Sequence, residues 1–123
     1  MSKKVLIIED EPIIMDILQK KIKNAGYDVF IARNGAEGLK TIRDLRPDII
    51  LLDIIMPMMS GLEVMEEIQK DPELKTIPVI VVSNSGQPVE IDRVKKLGAR
   101  DWLIKTEFDP QEVIEKIKNQ LGE

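Results

Sequence analysis

The chain has 123 residues, 43% of them hydrophobic, with 18 basic against 22 acidic side chains and a net charge of −4. That length suits one domain with its own core, expected to be a single unit over 1–123 with no output domain, and the charge gives no support to binding of nucleic acid or an anionic membrane. Cysteine and histidine are both absent, which excludes disulfides, thiolate or imidazole metal sites and Ser-His-Asp triads. Any chemistry rests on carboxylates, lysine, hydroxyls and a hard metal ion. No apolar run approaches the roughly 20 residues that span a bilayer. Met1-Ser2-Lys3-Lys4 leads straight into a strand, with no room for a signal peptide. The expected location is cytoplasmic.

Strand and helix signals alternate along the whole chain. A first strand at about 4–9 precedes a helix at about 12–25, with Pro12 in its first turn, Gly26 as a stop, and Ile14, Leu18, Ile22 and Ala25 at helical spacing. A second strand at about 27–32 leads to Asn34-Gly35-Ala36-Glu37, a capping-box-like start. The helix it opens carries Leu39, Ile42 and Leu45 and stops before Pro47. The third strand, at about 48–53, ends in the run Ile49-Ile50-Leu51-Leu52-Asp53, with the continuous apolar character of a strand buried on both faces. Ser60-Gly61-Leu62-Glu63 opens another helix, which runs to near Asp71-Pro72.

A fourth strand at about 77–82 leads through Ser83-Asn84-Ser85-Gly86 to a helix carrying Ile91, Val94 and Leu97 and ended by Gly98. A short fifth strand at about 101–104 precedes Asp109-Pro110-Gln111-Glu112, an N-cap followed by an N1 proline and an N3 glutamate. The last helix carries Val113, Ile114, Ile117 and Leu121.

Alternating βα units imply an α/β fold with a parallel sheet covered on both faces. For five strands a common doubly wound order is 2-1-3-4-5, the flavodoxin-like (βα)5 arrangement, in which strands 1 and 3 meet at the topological switch point. Glu9-Asp10 and Asp53 would then converge on one crevice, flanked by Ser83 from strand 4 and Lys105 from strand 5. Carboxylates held ~4 Å apart repel by roughly 4 kcal/mol per pair at an effective dielectric of about 20, so they need a proton or a cation. An all-oxygen site suits Mg²⁺, Mn²⁺ or Ca²⁺, and Mg²⁺ commonly completes its shell with phosphate oxygens. A metal, a lysine and a hydroxyl around one carboxylate make a clamp for a transferring phosphoryl group, with Asp53 as nucleophile.

Taken singly, each of these residues has a plainer reading. Asp53 alone is a solvated strand end or a helix cap, and Glu11 suits the N-terminus of the first helix. Met56, Met58 and Met59 read as loop packing, and Asn84-Ser85-Gly86 is too short for a phosphate-cradling P-loop. Trp102 could serve packing alone.

Four pieces in order change that balance: Ile7-Ile8-Glu9-Asp10-Glu11, Leu51-Leu52-Asp53-Ile54-Ile55-Met56-Pro57 with Gly61, Val81-Val82-Ser83, and Leu103-Ile104-Lys105. With them the chain resembles, over essentially its whole length, the response-regulator receiver domain of two-component signalling, as in chemotaxis regulators. The resemblance implies that Asp53 becomes an aspartyl phosphate, phosphorylated by a histidine kinase or histidine phosphotransfer protein. It implies that Glu9, Asp10, Asp53 and the Ile55 backbone carbonyl organise Mg²⁺, with Mn²⁺ as an alternative. Ser83 and Lys105 would contact the phosphoryl group, and Trp102 occupies the aromatic switch position. Phosphorylation would change the binding preference of a face built from helix 4, strand 5 and helix 5 towards a downstream protein. Such a phosphoprotein assists its own phosphorylation and dephosphorylation but acts as a signalling switch, as a monomer or as a dimer formed on phosphorylation. Three positions depart from the pattern: Thr106 stands where the family has proline after a cis bond, Asn84 where a small residue is usual, and Trp102 where tyrosine or phenylalanine is common. The rival functions are a phosphorylation-independent adaptor and a flavodoxin-like flavin carrier.

Overall fold

In a computed structural model, residues 2–84, 88–107 and 109–123 are described, with the side chains of Pro88 and Val89 set aside. Ser85 and Gly86, part of the loop expected after strand 4, lie outside the described residues. The elements are β1 (Lys4–Ile8), α1 (Pro12–Asn24), β2 (Asp28–Ala32), α2 (Gly35–Leu45), β3 (Ile49–Asp53), α3 (Gly61–Gln69), β4 (Val79–Ser83), α4 (Pro88–Lys96), β5 (Asp101–Ile104) and α5 (Pro110–Leu121). The expected alternation is present. One short 3-10 helix, Leu74–Thr76, was not expected; it turns the chain between α3 and β4 and buries Leu74.

All strands pair in parallel in the order β2-β1-β3-β4-β5, a doubly wound, flavodoxin-like α/β sheet. β3 and β4 are buried at every position, as continuous apolar runs require when helices cover both faces. Alternation along the strands divides the core. Val5, Ile7, Ile49, Leu51, Ile80, Val82 and Leu103 pack with residues of α1 and α5. Leu6, Ile8, Ile50, Leu52, Val79 and Val81 face the α2, α3 and α4 side.

Helix boundaries follow local chemistry. Asn34 and Ser60 each accept a hydrogen bond from the backbone N–H three residues on, at 2.8 and 3.2 Å, and Asp109 accepts from Gln111 at 2.8 Å. Each satisfies an N–H that the first helical turn leaves open. In α1 the expected stripe shifts: Met15, Leu18 and Ile22 are buried, Ile14 is only partly covered and Ala25 is exposed. Met56 and Met59 pack against the core as expected, whereas Met58 is 81% exposed at a positive φ of 70°. The Lys105–Thr106 peptide is trans; no cis bond occurs among the described residues.

Candidate functional site

Because β1 and β3 are parallel neighbours, the chain leaves both at the same end of the sheet. Asp53 is the last residue of β3 and Glu9 follows β1; they are 2% and 1% exposed. Gly61 makes room for this end. Its N–H donates to the Ile54 carbonyl at 2.8 Å, and a side-chain carbon at position 61 would collide with the Asp53 carbonyl. α3 therefore begins directly against the backbone that carries Asp53.

Lys105, 8% exposed, reaches into this acidic crevice from the end of β5. Its backbone N–H continues the ladder by donating to the Ser83 carbonyl at 2.7 Å. Its ammonium donates to Asp53 Oδ2 at 2.9 Å, to Glu9 Oε2 at 3.1 Å and to Glu11 Oε1 at 3.1 Å. Glu11 sits at the N-cap of α1, at the helix end where it was expected, and its side chain makes this ion pair and no capping bond. Glu9 Oε2 also accepts from the Glu11 N–H at 3.0 Å.

Oxygens of Glu9, Asp10 and Asp53 lie within 4.8 Å of one another, a grouping able to hold a cation. The other Glu9 oxygen, Oε1, is buried with no hydrogen-bond partner among the described residues, and a buried carboxylate oxygen left so is costly. The electrostatics carry the same strain. Burial, with the facing Asp53 adding to it, raises the Glu9 pKa to about 7. Burial likewise raises the Asp53 pKa, against the opposing pull of Lys105. For Lys105, burial disfavours the ammonium, but its bonds to Asp53, Glu11 and Glu9 prevail and hold its pKa above the ordinary lysine value. One ammonium does not neutralise the carboxylates around it. A small oxygen-seeking cation such as Mg²⁺ fits both the donor set and the orphaned oxygen.

Ser83 closes β4, 5% exposed, and its hydroxyl donates to Glu90 Oε1 on α4 at 2.7 Å. Trp102, partly buried, carries the Lys95 ammonium over its ring at 4.6 Å. Ile55 lies in the loop after β3 with its side chain 66% exposed. The tertiary structure thus brings together Glu9, Asp10, Asp53 and Lys105, while the Ser83 hydroxyl and Trp102 each have a partner on α4. Sequence reading missed Glu11 as a partner of Lys105, and missed Glu90 and Lys95 altogether. Acidic and basic residues on an exposed-looking helix carry no mark of their contacts.

Known proteins agree with this geometry. The model of the response regulator receiver domain matches residues 5–118. The polar-differentiation response regulator DivK of Brucella anthropi is 38% identical over 123 residues, covering 100% of this chain and 99% of that protein. The chemotaxis response regulator CheY4 of Vibrio cholerae superposes with a TM-score of 0.91 at 28% identity, over 98% of this chain and 100% of that one. A CheY-like receiver domain protein of Methanospirillum hungatei gives 0.89 at 28% identity, over 99% and 95%. The flavin-carrier reading finds no support among these relatives. With the family model spanning all five strands, including the four whose ends shape the crevice, the chain belongs to the response regulator receiver domains of two-component signalling.

Proposed function

We propose that the protein works as a phosphoacceptor switch, in which Asp53 of the receiver domain accepts a phosphoryl group from a phosphohistidine of a partner kinase or phosphotransfer protein. The observation that carries this reading is the buried crevice in which Lys105 joins Asp53 beside the Glu9, Asp10 and Asp53 oxygens. In the transfer, an Asp53 oxygen forms the new O–P bond as the donor's N–P bond breaks, and the electron pair stays on the imidazole nitrogen. Lys105 offsets charge on Asp53 and on the incoming group, since phosphoryl transfer depends chiefly on position and charge stabilisation. Glu9, Asp10, Asp53 and the Ile55 carbonyl would hold Mg²⁺, or Mn²⁺ in its place. When bound, the ion supplies positive charge for the phosphoryl oxygens.

Ser83 contacts the transferred group in this reading, and Trp102 relays the change to the face of α4, β5 and α5, where a downstream protein binds. That face carries a depression of about 260 Å³ lined in part by Trp102, Ile104, Glu112 and Lys116. Exposed Ile13, Ile55 and Met58 follow the ends of β1 and β3 and give a phosphohistidine donor apolar footing near Asp53. Among the described residues no helix is long and apolar enough to cross a membrane. The proposed setting is cytoplasmic, as a monomer or a phosphorylation-dependent dimer. Acetyl phosphate with Mg²⁺ should add one phosphoryl group by intact mass, and Asp53→Asn should abolish the gain. A gain undiminished in that variant, or none in the wild type, rejects the assignment. A phosphorylation-independent adaptor would instead bind its partner equally with and without a phosphoryl mimic.

A further inference from the structure

We propose that Glu90 is a positioning residue that holds the Ser83 hydroxyl proton on the α4 side of the crevice, so that a phosphoryl group on Asp53 engages Ser83 only by breaking the Ser83–Glu90 bond. The inference rests on the phosphoacceptor reading of Asp53. The bond is short, 2.7 Å from Ser83 Oγ to Glu90 Oε1, and joins a buried hydroxyl to a half-buried carboxylate. Bonds of this kind, with an ionised acceptor, are stronger than neutral ones.

Ser83 stands at the end of β4, whose neighbour β3 ends on Asp53; Asp53 is level with Val82, one residue before Ser83. A serine hydroxyl has a single proton to donate. An ionised carboxylate and the unprotonated oxygens of a phosphoryl group are acceptors only, so Glu90 and the phosphoryl group compete for that proton. Contacts that Ser83 makes elsewhere do not provide a second proton.

The competition reaches the helix. α4 is tied to β4 through Glu90 and to β5 through Lys95, which lies over the Trp102 ring. Losing the first tie leaves α4 held by the second and by the packing of buried Val94, and the equilibrium between two placements of α4 shifts by the difference in affinity for the phosphoryl group. Glu90 also lies in the first turn of α4, where a carboxylate suits the helix end in either state. Its plainest alternative role is therefore helix stabilisation, which would not depend on Ser83.

The two roles separate in a double-mutant cycle read with beryllofluoride and Mg²⁺, following the bound fluorine signal by ¹⁹F NMR. Loss of the competing charge-assisted bond should make Glu90→Ala bind beryllofluoride roughly fivefold to tenfold more tightly than wild type. Glu90→Gln, which keeps shape and an acceptor oxygen but not the charge, should gain about twofold to threefold. Both gains should vanish in a Ser83→Ala background, because the contested proton is gone. Should Glu90→Ala fail to fold, the glutamine variant in the two backgrounds decides. Unchanged affinity in the Glu90 variants, or a gain that persists without the Ser83 hydroxyl, overturns the proposal. Wild-type protein that binds no beryllofluoride removes the phosphoacceptor reading and this proposal with it, a result seen before any variant is made.

Discussion

Lys105 Nζ lies 2.9 Å from Asp53 Oδ2 across 52 residues of sequence, and both side chains are almost wholly buried. The pair exists because β3 and β5 flank β4 and finish at the same end of the sheet. Nothing in either local segment makes the contact; the sheet order does.

Removing the cation leaves buried carboxylates uncompensated. Lys105→Met should destabilise the metal-free protein by about 3 kcal/mol at pH 8, the scale expected when one partner of a buried pair is lost. At pH 5 the loss should shrink, because raised carboxyl pKa values let protons take the place of the lost charge. Urea unfolding at the two pH values measures the difference; equal losses would argue against the charge account.

The Glu9 pKa, raised from 4.5 to about 7, predicts a pH dependence with a definite sign. Between those values the folded protein holds more protons than the unfolded chain, so stability falls as pH rises. Without divalent metal, melting temperature should drop between about pH 4.5 and 7, by an amount corresponding to on the order of 2 kcal/mol. Asp53, raised in the same direction, adds to the slope. Magnesium should flatten the fall by replacing the proton, and Glu9→Gln should flatten it without metal. A slope of opposite sign in EDTA would refute the account.

Gly61 and Gly26 separate steric need from conformational need. Gly61→Ala forces a carbon against the Asp53 backbone and should cost about 3 kcal/mol. It should also lower the phosphoryl yield from acetyl phosphate. Gly26 sits at φ +99° with open space around it, so Gly26→Ala should cost about 1 kcal/mol and leave the yield unchanged. Chemical denaturation and intact mass test both.

The Lys95–Trp102 contact should be visible in emission, since Trp102 is the only tryptophan. Lys95→Met should alter the emission spectrum and cost roughly 0.5–1 kcal/mol, the range for an exposed cation–π pair. Lys96→Met serves as the control, with no such change expected. An unaltered spectrum in Lys95→Met would mean that the ammonium does not sit over the ring in solution.

Much of this molecule is decided by its sequence alone. Apolar runs set the strands, Asn34, Ser60 and Asp109 begin helices, and the four strand-end pieces mark Glu9, Asp10, Asp53, Ser83 and Lys105 together. These features are local, and local patterns are written in consecutive residues. Tertiary structure alone decided the rest: that the Glu11 side chain pairs with Lys105, that Glu90 accepts a hydrogen bond from the Ser83 hydroxyl, that Lys95 covers Trp102, and that Met58 faces solvent. The physical reason is common to the three polar contacts. A charged side chain on a helix looks the same in sequence whether water or a distant strand end receives its charge, and only sheet order and helix placement choose between them.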